Sequence, residues 1–61
     1  ALALEEVVEL EKTLLKAAEM ARAIADGGDA YPVGVREVAS RIAGDLPVKA
    51  ETIHSIAARV G

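Results

Sequence analysis

The apolar positions of the first 25 residues recur at helical intervals. Val7, Leu10, Leu14, Ala17, Ala21 and Ile24 are separated by 3, 4, 3, 4 and 3 residues, the spacing that returns one side of an α-helix to the same partner on successive turns. A second row, Leu4, Val8, Leu15 and Ala18, runs beside it. At about 100° per residue the two rows span roughly 200°, whereas a helix packed on one side of a small domain needs little more than about 100°. Glu6, Glu11 and Arg22 interrupt the rows, and Glu5, Glu9, Lys12, Lys16 and Glu19 take the opposite face. There Glu9 with Lys12 and Glu19 with Arg22 are placed to pair at i,i+3.

This pattern predicts a long helix over about residues 3–26. It should stop at "DGG", where Gly27 or Gly28 can take the left-handed conformation that closes a helix. Arg22 is placed to offset the unfavourable position of Asp26 at the negative end of the helix dipole. A second helix is expected over about 34–44, with Val35, Val38, Ala39 and Ile42 as its stripe, Gly34 as its cap, Gly44 as its stop and Leu46 folded back on its end. A third, over about 48–60, starts at Pro47 or Val48 and turns Ile53, Ile56, Ala57 and Val60 inward. In the connector "DGGDAYPVGVRE", Pro32 favours an extended Tyr31. The Tyr31 ring is expected to pack between the first helix and the two shorter ones. Three segments, "EMARAIA", "EVASRIA" and "ETIHSIA", share E-x-x-x-x-I-A without a fixed period, so they are not a solenoid repeat. Each sets an Ile beside an Ala where helices are expected to approach closely.

Composition agrees with an all-α class: 13 residues are Ala, the strongest helix former, and Tyr31 is the single aromatic. Sixty-one residues make one small domain, 1–61. Such a chain buries only about 60% of its unfolded surface and needs a staple. There is no Cys and one His, so disulfides and thiolate metal sites are excluded and oligomerisation is the expected remedy. Without an initiator Met, the chain is expected to be a piece of a longer one. "ALALEEVVEL" lacks the basic start of a signal peptide. No apolar run approaches the roughly 20 residues of a membrane span, so no membrane partner is expected and the cytoplasm is the default location.

The net charge of −3 sits in residues 1–26, with six acidic against three basic side chains, while residues 27–61 balance at four of each. Neither half is the basic patch on which nonspecific nucleic-acid binding rests. Asp26 and Asp29 flank two glycines, but Gly28 and Ala30 stand where an EF-hand-type calcium loop needs oxygen ligands. The phosphate-cradling G-x-x-x-x-G-K-[ST] is absent. Glu51, His54 and Ser55 fall within five residues, yet adjacent side chains on a helix diverge and imply no oxyanion site. The expectation is a non-enzymatic chain with no cofactor and no metal.

The segment "VREVASRIAGDLPVKAETIHSIAARV" resembles a helix-turn-helix of the bacterial regulator kind over about residues 35–60. The resemblance implies a dimeric DNA-binding protein in which Lys49, Glu51, Thr52, Ser55 and Arg59 face the groove and Arg36 a phosphate. The distance from Ala39 to Gly44 is five residues where the motif has four, and the turn is longer than the motif's compact one. The preferred reading is a homodimer seamed through the over-wide first helix, with Leu4, Val7, Val8, Leu10, Leu14, Leu15, Ala17 and Ala21 at the interface. A third reading uses the same surface to dock an amphipathic helix of another protein.

Overall fold

The computed structural model describes residues 2–60, and side chains within 3–59. Helix α1 spans Leu2–Ala25, a single 3-10 turn spans Gly28–Ala30, and helix α2 spans Val33–Val60. The all-α class holds, with two helices in place of the three expected. They form an antiparallel hairpin of 45 × 16 × 12 Å with a Cα radius of gyration of 14.1 Å. A compact 61-residue domain would have a radius of about 10.5 Å, so the molecule is a rod.

Helix α1 has no Gly or Pro to break it. It ends where the Gly27 N–H donates to the Ile24 carbonyl (3.0 Å), tightening the last turn. Gly28 then takes φ +63°, the one positive φ among the described residues and the conformation for which Gly carries no Cβ penalty. The Tyr31 N–H donates to the Gly28 carbonyl (3.2 Å), and the Arg36 N–H to the Pro32 carbonyl (3.0 Å), opening α2. Tyr31 does not enter the space between the helices. It remains 39% exposed and lies over Gly27, where an added Cβ would stand 2.5 Å from Cε2 of the ring.

Residues 33–60 form one helix because neither expected stop has its stopping geometry. Gly44 lies in open space without a positive φ, so it costs the helix about 1 kcal/mol and no more. Pro47 has no N–H for the Ala43 carbonyl and costs about 3 kcal/mol in a helix interior. Against this stands an unbroken contact line on α2: Ala39, Ala43, Leu46, Ala50, Ile53 and Ala57 are buried or half-buried at intervals of 4, 3, 4, 3 and 4. A break at 44–47 would divide that line in two. The Asp45–Lys49 ion pair at 2.9 Å also bridges Pro47. Of the residues expected to face inward on the third helix, Ile53 and Ala57 do so and Ile56 is exposed. The side chain of Val60 lies outside the described residues.

The facing line on α1 is Val7, Glu11, Leu14, Ala18, Ala21 and Ala25, again at heptad spacing. It runs between the two rows read from the sequence and takes in Glu11, which had been an interruption. Alanine decides this placement. The buried residues are Ala18, Ala21, Ala39, Ala43 and Ala50, and small side chains let two helices approach closely, as the bulkier Leu10 and Leu15 would not. No large side chain among the described residues is fully buried.

Candidate interaction surface

Successive residues of an α-helix are turned by about 100°. A right-handed helix turns the same way seen from either end. The residue just before a contact position therefore falls on one broad face of an antiparallel hairpin for both helices, and the residue just after on the other. The groove lined by Leu15, Pro47, Glu51 and His54, with Glu11 and Ala50 at its floor, follows this rule. Its four flanking residues each succeed a contact position.

The two faces differ in character. The succeeding face carries Lys12, Glu19, Arg22, Glu37 and Glu51 alongside Val8 and Leu15. The preceding face carries Leu10, Met20, Val35, Val38, Ile42 and Ile56, all exposed, and Ala17 and Ile24, half-buried. Its charged residues are Glu6, Asp45 and Lys49. The three Ile-Ala pairs explain part of the asymmetry. Ala25, Ala43 and Ala57 all sit on the contact line, so Ile24, Ile42 and Ile56 all fall on the preceding face.

Of the eight positions proposed from sequence for a dimer seam, Ala21 is buried and Val7, Leu14 and Ala17 are half-buried along the hairpin contact. Leu4, Val8, Leu10 and Leu15 stay 41–48% exposed. They do not form one patch. Leu10 lies on the preceding face, Val8 and Leu15 on the succeeding one, and Leu4 borders an apolar cleft at the open end with Val7, Ile53, Ile56 and Ala57. Exposed residues of α2 complete the apolar face. Sequence reading missed this because it took Val38, Ile42 and Ile56 as the inward stripe of short helices.

The turn needed for the helix-turn-helix resemblance is absent, because its two helices are one. Arg36 is half-buried, and its Nε–H donates to the Tyr31 carbonyl at 3.1 Å. Lys49 pairs with Asp45, and the Thr52 Oγ1–H donates to the Val48 carbonyl at 3.0 Å. Ser55 and Arg59 are exposed. Lys49, Thr52, Ser55 and Arg59 share an arc of about 120° on the outer side of α2, and Arg36 points elsewhere.

Among the described residues one polar tie crosses the hairpin. Glu11 reaches His54, Oε1 to Nδ1, at 3.0 Å, with the Glu11 side chain 14% and the His54 side chain 70% exposed. A carboxylate only accepts, so the imidazole Nδ1–H is the donor. Glu11 Oε2 is buried without a partner. The tie sets the level of the two helices, with residue 11 opposite 54. It also directs His54 to Glu11, leaving Ser55 without a base. Among the described residues no group of three His, Cys, Asp or Glu is gathered as a metal site, and no helix is long and apolar enough to cross a membrane. Comparison with known protein families, characterised proteins and solved structures returns no match to this chain.

Proposed function

We propose that the chain is a non-enzymatic, self-associating helical hairpin whose preceding face pairs with that of a second copy to make a four-helix bundle. The observation that carries this reading is a surplus of surface. The hairpin exposes 4538 Å², whereas a compact monomer of 6.3 kDa exposes about 3,700 Å². The difference, about 800 Å², is what one partner buries in an interface of standard size. The surplus is apolar where it matters, since Leu10, Val38, Ile42 and Ile56 on one face are among the exposed large side chains. Among the described residues the buried positions are all alanine, which leaves fuller burial of the larger side chains to a partner.

The site differs from the seam expected on α1, since α2 occupies much of that seam and the unspent apolar surface lies mostly on the face described above. Sedimentation equilibrium at tens of micromolar is expected to give twice the chain mass. Ile42→Glu, on the preceding face, should shift the chain toward monomer, while Leu15→Glu, on the succeeding face, should leave it paired. A compact wild-type monomer would overturn the reading. A monomer that seats the amphipathic helix of another protein on the same face would replace it with the adaptor reading.

A further inference from the structure

We infer that the two copies pair antiparallel, α2 against α2, about a twofold axis at the level of Pro47, with Asp45 and Lys49 of each copy bridged to Lys49 and Asp45 of the other. This inference rests on the self-association proposed above and adds its direction and register.

The preceding face of α2 is read off as Val35, Val38, Ile42, Asp45, Lys49, Thr52 and Ile56. From Val38 to Ile56 the intervals are 4, 3, 4, 3 and 4 residues, which makes that part of the row symmetric about position 47, while Val35 has Arg59 as its counterpart. Val38 and Ile56 stand nine residues to either side, Ile42 and Thr52 five, and Asp45 and Lys49 two. Turned end for end on itself, the row therefore lays Val38 on Ile56, Ile42 on Thr52, and Asp45 on Lys49, each contact occurring twice, as an isologous interface requires. Thr52 suits an apolar neighbour, because its hydroxyl already donates to the Val48 carbonyl (3.0 Å) and leaves the methyl to pack. Within one chain Lys49 Nζ already contacts both oxygens of Asp45, at 3.0 and 2.9 Å. Their side chains are 62% and 57% exposed, so both ions are open to a second partner. The result is a ring of four alternating charges in the middle of an apolar face.

α1 fits the same axis. The Glu11–His54 tie sets residues whose numbers total about 65 at one level, so Pro47 lies opposite Ala18. The preceding face of α1 around that level, Thr13, Ala17, Met20 and Ile24, is uncharged and folds onto itself without conflict. The other stacking of two hairpins, with both loops at one end, lays α2 on α1. It would set Asp45 and Lys49 against those uncharged residues, where closing the interface removes water from the pair without adding a charge partner to the one each already has within its chain.

The test uses the intact chain with D45K and K49D made separately. Each variant alone presents like charges to its own copy and is expected to dimerise about tenfold more weakly, or worse, for two lost reciprocal pairs. An equimolar mixture should regain the wild-type dissociation constant as a heterodimer. Both substitutions also break the pair within the chain, but mixing cannot repair an intrachain contact, so recovery reports the contact between copies. Because the chain has no Cys, V38C and I56C provide a check that does not depend on charge. Mixed, they should oxidise to a crosslinked heterodimer faster than either forms a crosslinked homodimer. A wild-type dimer whose charge variants pair unchanged, or whose V38C chain crosslinks fastest to itself, would overturn the antiparallel register and leave self-association standing. A wild-type monomer would overturn self-association itself.

Discussion

At the scale of single residues, the glycines separate by backbone conformation. Gly28 holds φ +63°, where a Cβ costs about 1–2 kcal/mol. Gly44 sits in a helix with nothing near its absent Cβ, where Ala is better by about 1 kcal/mol. Urea melts are therefore expected to move in opposite directions, Gly28→Ala down and Gly44→Ala up. The tie between Glu11 and His54 makes a second asymmetric pair. Removing His54 leaves a mostly buried carboxylate with neither oxygen satisfied by the protein, so His54→Ala is expected to cost about 1 kcal/mol. Glu11→Leu removes the buried acid together with its orphaned Oε2, and a hydrophobic replacement at such a site is neutral or stabilising. Equal losses in the two variants would mean that the contact itself, and not the desolvated carboxylate, sets the energy.

At the scale of elements, α2 is a helix carried through two poor residues by its packing. Pro47→Ala restores the missing donor to the Ala43 carbonyl and is expected to raise stability by about 2 kcal/mol, less than the full helix penalty because burial of the proline ring is lost. Ala43→Leu is the opposite experiment. It forces a large side chain between helices that meet through alanine and should cost about 1–3 kcal/mol by thermal melting. The continuity of α2 was legible in the spacing from Ala39 to Ala57. Gly44 and Pro47 obscure it, because both end a helix that no neighbouring helix supports. The line on α1 was less legible. Two apolar rows compete there, and which is central depends on how closely a partner can approach, which the residues of α1 alone do not specify.

At the scale of the whole molecule, the rod-like hairpin leaves more surface than a compact chain of its mass, and one of its two broad faces is the apolar one. If pairing of that face holds the fold together, folding and association are linked by mass action. The thermal midpoint should then rise as chain concentration is raised from about 1 to 100 μM, and Ile42→Glu should flatten the dependence. A midpoint independent of concentration, in a chain that sediments as a monomer, would count against the proposal.

By itself the sequence determined the all-helical class, the place where α1 ends, and an apolar arc on α1 wider than the contact with α2 covers. Those follow from local rules: alanine content, a glycine able to take positive φ, and heptad spacing. The tertiary structure decided what those rules leave open. It joined the second and third helices across Gly44 and Pro47, because a continuous packing line outweighs two local penalties. It seated Glu11 on the contact line, because alanines permit the closest approach. By fixing the contact line, it also fixed which residues precede it, and so gathered Leu10, Val38, Ile42 and Ile56 on one face.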